Sequence, residues 1–225
     1  MLLKIEEYDR HIIFVHPPRS SGTSIEHSLL QFRRSTSPFL VPDSVKHYRA
    51  SQIKALINKD QWDRAYKFGI VRNPFDLLAS LYITNEANYN KYNMHAGKTI
   101  TDFLLKLRSG HQCFWERVKN KSTTSDGMLQ WGSQDIPMPW EHGSTCSHYM
   151  DEELDFIIKY ENRRQDIGVV NQSLKPMGLK IDSNEVKRNH KTKKRDYMSY
   201  YDPTSKKIVE KLFEDDFERW YDDDI

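Results

Sequence analysis

The chain has 225 residues, which is enough for one α/β domain with its own hydrophobic core. Its composition is polar, with 37% hydrophobic residues and a mean hydropathy of −0.79, so a heavily charged surface is expected. The formal net charge of +2 is too small to argue for nucleic acid as a partner, and two cysteines are too few for a disulfide framework.

The first predicted strand, residues 11–16, ends at Pro17-Pro18 in a polar loop that leads into a helix predicted over 23–33. Unpaired N–H groups at a helix start point toward a ligand, and the helix dipole adds positive potential there. Hydroxyl groups add donors and an arginine adds charge, so we expect this loop to bind a phosphate or a sulfate. The residues of the loop and helix start that form this cradle are Arg19, Ser20, Ser21, Gly22, Thr23 and Ser24.

This loop differs from the common nucleotide-binding motifs. The ATP- and GTP-binding P-loop has Lys directly after its second Gly, whereas Gly22 is followed by Thr23 and the cation, Arg19, lies three residues before the glycine. The dinucleotide fingerprint G-x-G-x-x-G is absent as well. By itself a short Ser/Gly loop is equally consistent with an ordinary strand-to-helix turn, so a second feature is needed.

The second feature follows a helix predicted near 50–58. Residues 67–71 are predicted to form a buried strand, and Pro74 begins a helix predicted over 74–84. Arg72 lies at the carboxyl end of that strand, and Ser80 lies two turns into the helix. Because ligands of open α/β sheets bind at the carboxyl ends of strands, we expect Arg72 and the loop at Arg19 to face one crevice.

The remaining predicted elements continue the alternation of strands and helices. Residues 85–98, rich in Asn and Tyr, are predicted to form a loop, and residues 100–107 an amphipathic helix. The pattern over 109–150 is irregular. The last elements are a strand over 154–160, a helix near 163–177 and a helix over about 203–220. This order predicts an α/β fold in which flanking helices cover a three-layer parallel sheet, in a single domain over 1–225.

Two segments together resemble the sulfotransferases that use 3′-phosphoadenosine 5′-phosphosulfate (PAPS). They are Phe-Val-His-Pro-Pro-Arg-Ser-Ser-Gly-Thr-Ser at 14–24 and Ile-Val-Arg-Asn-Pro-Phe-Asp-Leu-Leu-Ala-Ser-Leu-Tyr at 70–82. Segments 155–166 and 197–221 are similar to later parts of that family, with the carbohydrate sulfotransferases as the nearest branch. The resemblance implies a P-loop-NTPase-like fold, PAPS as sulfuryl donor and no metal. It is weakest over 85–150, which we interpret as an acceptor-side insertion.

The resemblance also implies how PAPS is held. The first segment would cradle the 5′-phosphosulfate, while Arg72 and Ser80 would bind the 3′-phosphate. A basic run over 187–195 follows the family's order for a loop that closes over the 3′-phosphate, although such runs are as often solvated surface. The residues of this run that would bind are Lys191, Lys193 and Arg195.

The cation of the first loop departs from the family pattern. The family usually has Lys there, in contact with the oxygen that bridges phosphate and sulfate, and this chain has Arg19. Arg keeps the charge but presents a planar fork instead of a point charge. We therefore expect Arg19 to bind the phosphosulfate and to act in catalysis by neutralising the leaving phosphate.

His47 is the predicted general base. A similar His lies at this point of carbohydrate sulfotransferases, and an imidazole that titrates near neutrality suits removal of a proton from a hydroxyl. The alternatives are His16, at the end of the first strand, and Glu26, in the first helix, since other sulfotransferase branches use a Glu. The ordinary interpretations are a loop histidine bonded to the backbone for His47 and a buried structural residue for His16.

Aromatic residues in and after the predicted loop are candidates for an acceptor pocket, because sugars stack on Trp and Tyr. They are equally consistent with packing under a long loop. These residues are Tyr89, Tyr92, Trp131 and Trp140. The acceptor is expected to be a small molecule or a saccharide.

The sequence also bounds location and other partners. No apolar run approaches the roughly 18–20 residues of a membrane span, and the N-terminus has no signal-peptide core. We therefore expect a cytoplasmic protein without a membrane or nucleic-acid partner; nothing in the sequence indicates its oligomeric state. His142, Cys146 and His148 match no familiar zinc spacing, so no metal is expected.

The leading hypothesis is a sulfotransferase that acts on a hydroxyl group, with a saccharide among the candidate acceptors. Such transfer requires an acceptor held in line, a neutralised leaving phosphate and removal of a proton. A P-loop-like ATP-dependent kinase is the alternative, against which the missing Gly-Lys-[Ser/Thr] argues. A non-catalytic nucleotide-binding module is the third hypothesis.

Overall fold

A computed structural model describes residues 1–5, 10–31, 47–92, 98–108, 145–183 and 196–222. The chain divides into two compact units, each of which combines separate stretches of sequence. The first unit contains Met1–Arg72 and His148–Lys191. The second unit contains Asn73–Ser147 and Thr192–Ile225.

Within the described residues, the first unit is built on a four-stranded sheet in the order β1-β2-β3-β4. The strands are β1 (Leu2–Ile5), β2 (Arg10–Val15), β3 (Tyr66–Val71) and β4 (Phe156–Lys159). The last three are parallel, and they confirm the strands predicted from the sequence. β1 runs antiparallel to β2 and was not predicted, because four residues are too few to show a periodicity.

Helices α1 (Gly22–Gln31) and α7 (Arg163–Leu174) pack with the sheet in one hydrophobic core. Alternate residues of a strand share a face, so Ile12 and Phe14 of β2 point into this core. Ile13 and Val15 on the opposite face are also buried, which explains why β2 is a continuous apolar run. The helical contribution to the core comes from Ile25, Leu29, Ile167, Val170 and Leu174.

The helix predicted near 50–58 is wrong as a single element. The structure has α2 (Ala50–Lys54) followed by α3 (Lys59–Arg64). Asn58 separates them, because its side-chain oxygen accepts a hydrogen bond from the Gln61 N–H at 2.8 Å and so starts a new helix. Likewise α7 ends before the predicted 177, and a 3₁₀ turn (Lys175–Met177) closes on Gly178, whose φ is 66°.

The second unit is helical within its described residues. Its helices are α4 (Pro74–Tyr92), α5 (Ile100–Arg108), α8 (Pro203–Leu212) and α9 (Glu214–Trp220). A four-residue helix, α6 (Cys146–Tyr149), spans the boundary between the two units in the sequence. None of the described helices is both long and apolar enough to cross a bilayer.

Two predictions for this unit need correction. The loop predicted over 85–98 is wrong for its first part, because α4 continues to Tyr92 and the weak helix propensity of Asn is overridden. The single helix predicted over about 203–220 is divided at Phe213, which ends α8 and starts α9. The acidic first turn of α9 favours a new N-terminus there, since carboxylates stabilise the positive end of a helix dipole. The predicted α/β class with a central sheet and flanking helices is confirmed.

Candidate functional site

The polar loop after β2 adopts a backbone that is unusual for its residues. Arg19 has a φ of 68° and Ser21 a φ of 70°, both in the left-handed region. For residues with a Cβ this conformation costs about 1–2 kcal/mol each. Left-handed residues within a turn direct successive N–H groups into one concavity, which is how backbone anion sites are built. Ser20 closes the turn, since its buried hydroxyl donates to the Pro17 carbonyl at 2.7 Å.

Helix α1 starts directly at the end of this loop. The N–H groups of Ser24 and Ile25 donate to the Ser21 carbonyl at 3.1 and 3.4 Å. By helix geometry, the N–H groups before them lie beyond the reach of an intrahelical carbonyl, and these belong to Gly22 and Thr23. The first turn has no acidic residue that would compete with an anion for the helix start. The loop and helix start therefore form a cradle for an anion.

Gly22 allows a close approach between this cradle and the end of β2. A Cβ built on Gly22 would lie 2.0 Å from Nδ1 of His16, which is far inside any normal contact. The His16 ring is 1% exposed and stacks on Phe14 at 5.0 Å between centroids. The His16 imidazole thus leaves no room for a side chain at position 22, and this requires glycine there.

Arg72 joins the cradle from the neighbouring strand. It follows β3, and its Nη1 donates to the Arg19 carbonyl oxygen at 2.8 Å. Its guanidinium lies 4.3 Å from the ring centroid of Tyr160, the first residue after β4. The carboxyl ends of three parallel strands therefore contribute Arg19, Arg72 and Tyr160 to one place.

The electrostatics of this place favour a negatively charged ligand. The pKa of Arg19 is lowered to about 10, chiefly by burial and to a lesser extent by the positive charge of Arg72. Tyr160 acts in the opposite sense and raises that pKa. Two cations that are held close together inside a protein are stabilised by an anion placed against them.

His47 lies against His16, the residue that follows β2. Its Nδ1 is 3.2 Å from the His16 carbonyl oxygen, and the two imidazole rings meet edge to face at 4.6 Å. A carbonyl oxygen only accepts, so Nδ1 of His47 carries the proton of this hydrogen bond. In the neutral ring the lone pair is then on Nε2, the nitrogen that a general base would use.

The two alternative bases contact each other. His16 Nε2 lies 2.9 Å from Glu26 Oε1, and both side chains are buried, at 1% and 9% exposed. Because the carboxylate only accepts, Nε2 of His16 is the donor. His16 and Glu26 therefore form a buried pair beneath the cradle.

Of the other predicted site residues, three lie on α4 and five lie outside the described residues. Ser80 lies on α4 in the second unit and is half-buried. Tyr89 and Tyr92 lie in the part of α4 for which only the backbone is described. The residues outside the described ranges are Trp131, Trp140, Lys191, Lys193 and Arg195. Among the described residues, no group of three His, Cys, Asp or Glu side chains could hold a metal ion.

Tyr160 and Arg163 were not identified as site residues from the sequence. Arg163 lies 4.8 Å from the Tyr160 ring centroid and donates to the Tyr160 carbonyl at 3.1 Å. Tyr160 is thus in contact with two guanidinium groups, those of Arg72 and Arg163. The sequence signal that could have identified Tyr160 is its position, because it lies at the carboxyl end of a predicted strand, as Arg72 does.

Comparisons with known proteins identify the family of this chain. The model of the sulfotransferase family (Sulfotransfer_2) matches residues 5–222. Among solved structures, the chain is similar to mouse sulfotransferase SULT7A1 complexed with PAP, with a TM-score of 0.46 and 15% identity over 93% of this chain and 84% of that one. No curated protein sequence matches. Because the family model spans nearly the whole sequence, the chain belongs to the sulfotransferase family.

Proposed function

We propose that this sulfotransferase moves the sulfuryl group of PAPS to an acceptor hydroxyl and releases 3′-phosphoadenosine 5′-phosphate (PAP). The observation that supports this donor most directly is the contact between Arg72 and the backbone of Arg19 at the start of α1. The lowered pKa of Arg19 indicates that its charge is incompletely stabilised by the protein alone. A donor that carries several negative charges would place an anion against the neighbouring positive charges of Arg19 and Arg72.

The two ends of the donor are assigned to different residues. The cradle of residues 19–24 binds the 5′-phosphosulfate with backbone N–H groups, hydroxyls and the Arg19 guanidinium. Arg72 and Ser80 bind the 3′-phosphate, and the basic run with Lys191, Lys193 and Arg195 closes over it. The planar guanidinium of Arg72 presents its N–H donors in a fork that matches the oxygens of a phosphate.

The reaction is an in-line displacement at sulfur. The acceptor oxygen forms a bond to sulfur while the bond from sulfur to the phosphate oxygen breaks, and the acceptor proton passes to Nε2 of His47. General-base catalysis of this kind is worth about 10²–10⁴ in rate. Arg19, Thr23 and the cradle N–H groups stabilise the charge that develops on the leaving phosphate.

A saccharide is the proposed acceptor class. The resemblance of residues 14–24 and 70–82 to carbohydrate sulfotransferases supports it, and Tyr89, Tyr92, Trp131 and Trp140 are the candidates for stacking against sugar rings. The predicted cytoplasmic location is part of the same proposal. A screen of saccharide, phenol and small-metabolite acceptors with ³⁵S-labelled PAPS identifies the class. Label transferred only to phenols, or only to small metabolites, would contradict the saccharide assignment.

The donor is tested by ligand-induced thermal stabilisation. A ligand at about 100 times its Kd stabilises a protein by about 2.7 kcal/mol, so PAP should raise Tm clearly. Adenosine 5′-phosphate, which lacks the 3′-phosphate, is the matched ligand and should raise Tm much less. Stabilisation by ATP together with no response to PAP would overturn the proposal and favour the kinase alternative.

A further inference from the structure

His16 contacts three separate parts of the proposed active site although it is buried. Its ring fills the space where a Cβ of Gly22 would be, its Nε2 binds Glu26, and its ring and that of His47 meet edge to face. Its own carbonyl oxygen accepts the hydrogen bond from Nδ1 of His47. One residue at the end of β2 is thereby in contact with the donor cradle, with α1 and with the proposed base.

Glu26 fixes the orientation of that ring. It lies on α1, four residues after Gly22, so it projects from the same face of the helix. The 2.9 Å bond from His16 Nε2 holds the imidazole in one plane, with one ring edge against Gly22 and the ring face toward Phe14. If Glu26 does not reach His16, the imidazole loses the hydrogen bond that holds its Nε2, and its contacts with the start of α1 and with His47 are displaced.

We propose that the buried His16–Glu26 pair positions the donor cradle and His47 relative to each other, and that neither residue takes part in proton transfer. This inference rests on the proposed function and adds to it the residues that align donor and base. Proton removal stays with His47, and neutralisation of the leaving phosphate stays with Arg19 and Thr23. Misplacement of reacting groups by about 1 Å can cost roughly 10²-fold in rate, so a buried pair that sets this alignment has a measurable effect.

Two substitutions of Glu26 separate position from charge. Glu26→Gln removes the charge but keeps an oxygen at the same reach, so His16 Nε2 still has its acceptor. Glu26→Asp keeps the charge but is one methylene shorter and cannot reach His16 from the same backbone. If Glu26 positions His16, the Glu26→Gln variant should be tolerated and the Glu26→Asp variant should not. If Glu26 were instead a catalytic carboxylate, Glu26→Asp should be the better tolerated of the two.

The measurements are Kd for PAP by calorimetry and kcat for sulfuryl transfer over pH. For Glu26→Asp we expect PAP to bind about tenfold more weakly and kcat to fall about 10- to 100-fold, because cradle and base are both displaced. For Glu26→Gln we expect the Kd for PAP and kcat to lie within about threefold of the wild type. The fall of kcat at acidic pH, the acid limb of the profile, should be kept because His47 remains the base. If Glu26→Gln is the more impaired variant, or loses that limb, the positioning role is refuted.

Ser28→Ala is the matched control for general destabilisation. Ser28 is fully buried on the same helix, and its hydroxyl oxygen accepts a hydrogen bond from the Asp182 N–H at 2.7 Å. This variant should lower Tm while PAP affinity and kcat stay near wild type. An equal response of Glu26→Asp and Ser28→Ala in all three measurements would reduce Glu26 to an ordinary structural residue. Absence of PAP binding and transfer in the wild type would instead refute the proposed function itself.

Discussion

Arg72 donates a hydrogen bond from Nη1 to the main-chain carbonyl of Arg19 at 2.8 Å. This contact joins the ends of two neighbouring parallel strands, β2 and β3, through a charged side chain and a strained loop residue. The positions of the two arginines are consequently interdependent. A substitution at Arg72 removes one cation and also releases the loop that holds the other.

Arg72→Ala should weaken PAP binding by about 10- to 100-fold, because charge-assisted hydrogen bonds contribute about 1.5–3 kcal/mol each. Calorimetric titration with PAP measures the change. Arg64→Ala, on the exposed surface of α3, is the control and should bind PAP as the wild type does. An Arg72→Ala variant that folds and keeps wild-type affinity would show that Arg72 does not contact the donor.

His47→Ala should lower kcat by about 10²–10⁴ while the Kd for PAP stays within about threefold, since a general base contributes to the transition state rather than to donor binding. His47→Gln retains hydrogen-bonding groups but cannot accept a proton at neutral pH, so it should be equally impaired. In both variants the acid limb of the kcat profile should disappear. Turnover close to wild type in either one would transfer the role of base to another residue.

Ser21→Gly should stabilise the free protein relative to Ser21→Ala by about 1–2 kcal/mol, because glycine adopts a positive φ without the Cβ clash. Both variants lack the hydroxyl, so their difference in unfolding free energy reports the relief of backbone strain, reduced by the greater entropy of glycine in the unfolded chain. Urea unfolding monitored by circular dichroism measures it. Equal stability of the two variants would indicate that residue 21 does not hold its left-handed conformation in solution.

Asp216→Asn should destabilise the second unit by about 1–3 kcal/mol, because one oxygen replaces two that accept from Cys146 N–H and Ser147 N–H, both at 2.7 Å. Burial raises the pKa of Asp216 above 3.8, with hydrogen bonds from Ser147 and Cys146 opposing it. As pH rises above 3.8, the unfolded state releases this proton before the folded state does, so the wild type loses stability until pH passes the folded pKa.

The asparagine variant lacks this titration. The stability difference between Asp216→Asn and wild type should therefore narrow as pH rises from the acid range to neutrality. Thermal unfolding of both proteins at several pH values measures this. A difference that widens with pH would mean that the folded protein stabilises the charged carboxylate after all.

Features that depend on a short stretch of sequence could be predicted, whereas features that depend on contacts between distant residues could not. The cradle at 19–24 and Arg72 lie in strand–loop–helix patterns of a few residues, so their placement at strand ends followed from the sequence. The length of α4 did not, since Asn and Tyr propensities predict a loop where the helix continues to Tyr92. The His16–Glu26 contact depends on how α1 folds back against β2, which no local pattern of residues encodes.

The contact between His16 and Gly22 restricts which sequences can occupy this site. Since a Cβ at position 22 would overlap the imidazole at 2.0 Å, a side chain there requires a much smaller residue at position 16. Replacement of His16 by a small residue would in turn leave Glu26 without its imidazole and His47 without a ring to pack against. Positions 16 and 22 can therefore change only together, and a double-mutant cycle on them should give a large interaction energy.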